Sequence, residues 1–450
     1  MKQKFNIVVL LSLALLAAAC EKKPADPLPR DVSVQLSYNS SLLQVAGIPV
    51  TVSDAAGTFT LDAATDANGV ASFKLNPGVY SVSATYVTSE DGMRMAYNGS
   101  LAAVSVSAPG TASSMDSKEV MLLDLPMTLV ESRQIIIKEL YFGGCTNPET
   151  SKGYTDDAYV VLYNNSDVEA DASDVVFGFL APYNGHGSNK FRVDENLLYE
   201  NDTWIPSYGA IWWFCAEVKI PAWSQVVVAI FSAIDHTATV STSVNLADPS
   251  YYWMSNSGIA QYTNKKYAAS DAIATNHYLS CYPFTQGNAW AMSNSSPAFF
   301  IGQISAAEVE ALCKDTENYD HTLGTSAAMN VVKFPKDKVI GAIEVYSQPN
   351  LAKSAPRFPA DINSGYVAIT NNQGYSVYRN VDKAATEALP ENEGKLVYDY
   401  ALGTTDVEGT TDPSGIDAEA SIARGAHIVY SQTNSSTNDF HQRKVASLKK

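Results

Sequence analysis

The sequence predicts a mostly β protein: an N-terminal β-sandwich, then a larger β-sandwich with long loop insertions and a few short helices. Three observations carry this. Tyr (25) outnumbers Phe (15), and Gly, Ser, Thr and Asn abound, a mix that suits strands joined by tight turns. Short runs alternate apolar and polar residues between turn signals, as at Val32, Val34 and Leu36. Helix signals are confined to a few short stretches. A hydrophobic content of 46% against 17% charged residues fits a folded chain. Its 450 residues suffice for two or three domains on a prior of roughly 150 residues each.

The N-terminus comes first. Lys2 and Lys4 give a positive start, Ile7 to Leu16 an apolar stretch broken by Ser12, and Ala17-Ala18-Ala19 the small residues a signal peptidase requires. Cys20 follows, where a bacterial lipoprotein carries its diacylglycerol on the first mature residue. Residues 1–19 are therefore expected to be a lipoprotein signal peptide and Cys20 the lipidation site. The stretch falls short of the roughly 20 apolar residues a membrane span needs. Residues 20–30, with three prolines and several charges, suit an extended lipidated linker. The expected location is the outer membrane, with the chain tethered by its lipid. Asp does not follow Cys20, so inner-membrane retention is not indicated. Glu21 is the one acid beside Cys20, so the cell surface and the periplasmic face both stay open.

Net charge is −17, and loss of Lys2 and Lys4 makes the mature chain more acidic still. Such a surface repels nucleic acid and anionic headgroups, so no nucleic-acid partner is expected. Four cysteines remain: Cys145, Cys215, Cys281 and Cys313. An oxidising compartment permits two disulfides among them in any of three connectivities, and their wide spacing excludes zinc ribbons and redox dithiols. Cys215, beside Trp212-Trp213-Phe214, also suits a buried thiol.

Residues 31–125 are expected to form the first domain. Pro49 precedes Val50-Thr51-Val52, and Asn68-Gly69 supports a hairpin turn between Thr65 and Phe73. After Pro77-Gly78, the residues Tyr80, Val82, Ala84 and Tyr86 keep one face apolar. Asp66, Asn68 and Gly69 partly fit a calcium loop, but Ala64 and Leu75 stand where its first and last carboxylates belong. The pattern resembles the carboxypeptidase-regulatory-like, or transthyretin-like, sandwich. That resemblance implies a spacer or interaction module.

Residues 132–450 make the larger part. A strand-like run spans Gln134 to Phe142, and Asp157-Ala158 leads into Tyr159-Val160-Val161-Leu162-Tyr163-Asn164. Ile220-Pro221-Ala222 precedes a second run, Val226 to Ile230. These segments resemble lamin-tail-like β-sandwiches, although Val161 stands where many of them have Glu. Gly374 to Arg379, Lys383 to Leu389 and Thr433 to Phe440 resemble an uncharacterised family of Gram-negative lipoproteins of this length. That resemblance implies an architecture and no activity. Ser305-Ala306-Ala307-Glu308 is a capping box opening a helix that turns Val309, Leu312 and Cys313 inward. Lys383 to Leu389 suits a second short helix, stopped by Pro390. Residues 232–300 suit an insertion between strands, and 402–416 an exposed loop.

Catalytic motifs are sparse. Six histidines include no His-Glu-x-x-His pair, and His441 suits a surface or turn position better than a catalytic one. There is no Gly-x-Ser-x-Gly elbow and no P-loop. Cys145, after Gly143-Gly144, is the one cysteine in a loop-like setting, and an inert or bridged thiol suits it better than a nucleophile. No cofactor is expected. Calcium is the weaker alternative, with Glu139, Asp156 and Asp157 as candidate ligands. Six tryptophans, at 204, 212, 213, 223, 253 and 290, crowd one span. Trp212 or Trp213 must face inward, because strand neighbours alternate. Tyr251, Tyr252, Trp253 and Trp290, in loop-like contexts, are the candidate ligand contacts.

The expected function is binding or assembly without catalysis, with an outer-membrane protein such as a transporter, or a glycan, as partner. The alternatives are an envelope hydrolase with a metal in its acidic loops, and a structural or adhesive surface protein.

Overall fold

The computed structural model describes residues 28–54, 59–90, 93–108, 120–254, 267–285, 292–404 and 410–449. Cys20, the expected signal peptide, most of the expected linker and Trp290 lie outside the described residues. Strand makes up 41% and helix 13%, a mostly β fold of open β-sandwich sheets. The chain divides into two compact units, Met1–Tyr86 with Tyr97–Leu129, and Val87–Ala96 with Val130–Lys450.

In the first unit, strand Arg30–Tyr38 pairs antiparallel with Ser41–Leu42 and Val70–Leu75, and parallel with Met121–Pro126. A five-stranded sheet runs in the order Thr60–Ala64, Pro49–Asp54, Gly78–Glu90, Met93–Val106, Thr128–Ser132. Val32, Val34, Leu36, Val50, Val52, Phe73 and Val82 fill the core, as period-two alternation requires. The turn at Asn68-Gly69 is not a hairpin. Thr60–Ala64 pairs with Pro49–Asp54, whereas Val70–Leu75 pairs with Arg30–Tyr38, so the turn carries the chain between two sheets. Asp66 shapes it by accepting the N–H groups of Asn68 and Val70 at 2.8 and 3.1 Å. Gly69 has φ +75°, and a Cβ there would lie 2.0 Å from the Leu43 carbonyl oxygen. A turn motif reports local φ angles and leaves the partner strands undetermined.

The second unit holds two six-stranded sheets. One runs Tyr252–Trp253, Gln225–Ala229, Tyr159–Asn164, Ile135–Tyr141, Ser376–Arg379, Phe440–Arg443. The other runs Ser280–Pro283, Ala210–Trp213, Val175–Phe179, Ala298–Gln303, Val339–Ser347, Val367–Ile369. Ile137, Leu140, Val160, Leu162, Phe177, Trp212 and Ile301 belong to one shared core. Both sheets are also covered on their other faces, so central strands such as Tyr159–Asn164 are buried throughout. Trp212 and Trp213 alternate as expected and are both buried, in two different cores. The capped helix Ala306–Lys314 buries Val309 and Cys313. The segment 402–416 is not an exposed loop where it is described. Thr404, Thr410, Asp412, Ser414 and Ile416 are buried, and Asp412 accepts the Val381 N–H at 2.9 Å. Its small polar residues bond to the backbone instead of to water.

A bulge between Ile137 and Glu139 gives the central strand one extra residue, Lys138. The Lys138 ammonium lies 2.7 Å from Glu419 and 2.7 Å from Gln225 Oε1, over the rings of Tyr163, Tyr378 and Tyr430. In a fully buried pair, Arg357 reaches Glu344 through Nε and Nη2 at 2.9 and 2.6 Å. It also donates to the carbonyls of Pro182 and Ser296.

Candidate functional site

Asp157 is the centre of a buried polar cluster beside an open cavity. It lies two residues before the buried strand Tyr159–Asn164 and is itself fully buried. Its Oδ2 accepts the Tyr141 hydroxyl at 3.0 Å and the Ser243 hydroxyl at 2.5 Å, with Cys145 Sγ at 3.8 Å. Its Oδ1 has no hydrogen-bond partner in the structure. Burial raises the carboxyl above the usual aspartate range, and the hydroxyl bonds and nearby His236 oppose that only in part.

Three local features assemble the cluster. Tyr141 ends its strand directly opposite Tyr159, and the rings stack at 5.3 Å. Gly144, at φ +67°, lets Cys145–Thr146 pair with Gly153–Tyr154, since a Cβ there would lie 1.9 Å from the Tyr154 oxygen. Asp235 then caps the single turn His236–Ala238, which leads into the loop bearing Ser243. His236 Nε2 sits 2.9 Å from the Ser232 carbonyl, which can only accept, so Nε2 carries a hydrogen. Its Nδ1 lies 2.6 Å from the Tyr154 hydroxyl, whose pKa burial pushes up to about 12.

The same loop walls a cavity of about 470 Å³, whose lining includes Thr237, Ser243, Asn245, Asp248, Tyr251 and Leu448. Ser243 is the link: it lines this cavity and its hydroxyl bonds to Asp157. The cavity lies within the ~300–1,000 Å³ range of small-molecule sites. Its wall combines hydroxyls, an amide and one carboxylate with the apolar side chains of Val244, Pro249 and Leu448 and the half-buried Tyr251. Such a wall can hold a small polar ligand by hydrogen bonds. Cys145 is a poor nucleophile, because burial pushes its thiol up and away from thiolate.

The candidate aromatic residues part company here. Tyr251 lines the cavity. Tyr252 stacks on His277 at 4.4 Å and meets Phe214 edge-on at 5.1 Å. Trp253 is core, 6% exposed, with its indole N–H bonded to the Phe231 carbonyl, so it is not a ligand contact.

The proposed calcium ligands also separate. Glu139 is committed to the Ser447 N–H at 2.9 Å and to the Ser447 hydroxyl, away from the Asp157 hydrogen bonds. Asp156 is half-buried beside Asp157. Among the described residues no group of three or more His, Cys, Asp or Glu is placed to hold a metal ion. Cys145, Cys215, Cys281 and Cys313 are not joined by disulfides in the structure; Cys215 is exposed, not buried. His441 is buried in strand Phe440–Arg443, not at a surface or turn.

Sequence reasoning missed Tyr141, Tyr154, His236 and Ser243. One signal was available: the hydroxyl-rich run Thr237 to Ser243, directly after a capped histidine.

Fold and site together define a mostly β, two-unit protein with a hydroxyl-lined cavity at the edge of its larger sandwich. Residues 223–414, which include every cavity residue named above except Leu448, match the family described as "Protein of unknown function (DUF4876)". The structure is similar to that of a DUF4876 family protein from Bacteroides thetaiotaomicron, at 17% identity and TM-score 0.51, over 92% of this chain and 95% of that one. A DUF3823 family protein from Parabacteroides merdae aligns over 71% of this chain and 99% of that one, at 8% identity. Its TM-score of 0.17 supports no argument about fold. No curated protein matches the chain.

Proposed function

We propose that this protein is a lipid-anchored binding protein of the outer membrane, without catalytic activity, and that the Tyr251 cavity is its binding site. In this reading Cys20 carries the anchor. The first unit is a carboxypeptidase-regulatory-like spacer, and the second a lamin-tail-like domain that presents the cavity to an envelope protein or glycan. The observation that carries the proposal is the cavity itself. It is open and walled by hydrogen-bonding groups, apolar side chains and one tyrosine, and the nearby Cys145 thiol has its pKa pushed up by burial.

The test pairs localisation with capture. Cells expressing the full chain are labelled with an alkyne fatty acid, and their envelopes are probed with a photo-crosslinking residue at Asn245. Lipid labelling lost in Cys20→Ser, with a saturable cross-link competed by unlabelled protein, is the expected result. A chain that takes no label and forms no saturable cross-link to envelope protein or glycan would overturn the proposal.

A further inference from the structure

We infer that the cavity is built for a neutral, polyhydroxylated ring, a carbohydrate, with Asp157 acting as the positioning residue that sets the hydrogen-bond polarity of its wall. The inference rests on the binding role proposed above and adds the ligand class.

Ser243 has one hydroxyl hydrogen, and Asp157 Oδ2 takes it at 2.5 Å. Any further bond to the Ser243 hydroxyl oxygen can therefore only be an accepted one. Serine side chains ordinarily rotate to suit a ligand, but this one is buried and its rotor is pinned from behind. Asn245 supplies the complement. Its Oδ1 receives the Ala247 N–H at 2.8 Å, which leaves the Nδ2 hydrogens to donate. The matching ligand must donate at one point and accept at another, as adjacent hydroxyl groups do. Val244, Pro249 and Leu448 add apolar wall beside the Tyr251 ring, which suits the C–H face of a sugar. No lysine, arginine or histidine lines the cavity among the described residues, so phosphates and carboxylates find no counter-charge.

The experiment uses the purified full chain, an array of neutral, anionic and aminated glycans, and calorimetry with each neutral binder and its monodeoxy analogues. Neutral glycans are expected to bind and uronic acids to fail; because the Asp248 carboxylate also lines the cavity, binding confined to aminated glycans would overturn the inference. One deoxy position should cost about tenfold, the scale of one lost hydrogen bond. Ser243→Ala should weaken the parent glycan about tenfold and bind that deoxy analogue equally well. Asp157→Ala removes the acceptor, frees the serine rotor and should shrink the deoxy discrimination, a readout that a purely structural role would not move. Asn245→Asp, on an exposed loop, keeps the Oδ1 bond to Ala247 but turns the donor into an acceptor, and should also cost about tenfold. It serves where a core variant fails to fold.

Glycan binding unmoved by all three substitutions overturns the inference. So does failure of every neutral glycan while the Asn245 probe still cross-links an envelope protein; in that case the binding reading stands without its ligand class. No glycan binding and no cross-link removes both.

Discussion

His441 should make the folded protein acid-sensitive in a specific window. Its Nδ1 lies 2.7 Å from Asn380 Oδ1, and its Nε2 lies 2.6 Å from the Tyr400 hydroxyl. A neutral ring satisfies both contacts. Burial, with the Arg443 guanidinium nearby, pushes its pKa down from 6.5 to about 3. The sign follows directly. The unfolded chain takes up a proton below about pH 6.5, while the folded chain resists it until about pH 3. Stability from this residue is therefore complete above pH 6.5 and drains away as pH falls toward 3. At pH 4.5 the loss is about 2–3 kcal/mol, from 1.36 kcal/mol per pH unit over about two units. Buried carboxyls with raised pKa, such as Asp157 and Asp439, act in the opposite direction. The assay is therefore a difference: urea unfolding of the chain and of His441→Gln at pH 7.5 and 4.5. The variant should be less stable at pH 7.5, and the gap should narrow by about 2–3 kcal/mol at pH 4.5. A gap that stays constant with pH would refute the argument.

Further outcomes test other parts of the structure. Arg357→Ala strands Glu344 in a dry site and should cost about 3–5 kcal/mol in urea unfolding. Arg357→Lys should recover little, since one ammonium cannot reproduce the contacts to Glu344, Pro182 and Ser296. Gly69→Ala forces a side chain onto the Leu43 carbonyl at positive φ. It should destabilise the first unit by about 1–3 kcal/mol, seen as an earlier transition by differential scanning calorimetry. A thiol reagent at pH 8 should label Cys215 quickly in the native chain, with Cys145 and Cys313 reacting only on unfolding, as peptide mapping would show.

The strands were legible because their pattern is local. Val32, Val34 and Leu36 alternate, and Tyr159 to Asn164 is continuously apolar up to its final asparagine, so each announces its type and burial. The capping box at Ser305 was legible for the same reason. Partnership was not. Asn68-Gly69 announced a turn but not that its flanking strands belong to different sheets. The site divides in the same way. Asp157 was visible as an acid at a loop–strand junction, where solvent and a cation are the ordinary expectation. What buries it, Tyr141 before it and Ser243 well after it, comes from segments with no shared spacing. Among the aromatics, one step of sequence separates the cavity residue Tyr251 from strand Tyr252–Trp253, and only the strand's boundary tells them apart.

The central strand Ile135–Tyr141 binds its neighbours over very different chain distances. Arg379 donates to the Ile137 carbonyl from 242 residues away, and Ser447 reaches Glu139 from 308. Both contacts close large loops whose entropy is spent before any burial compensates it. A topology of this kind has high contact order and is expected to fold slowly, with seconds or longer at an exposed half-formed sheet edge. The bulged Lys138 then acquires a kinetic meaning. A charged residue in the middle of the central strand is expected to disfavour apolar edge-to-edge pairing between unfinished chains until Glu419 and the tyrosines cover it, as they do in the folded chain.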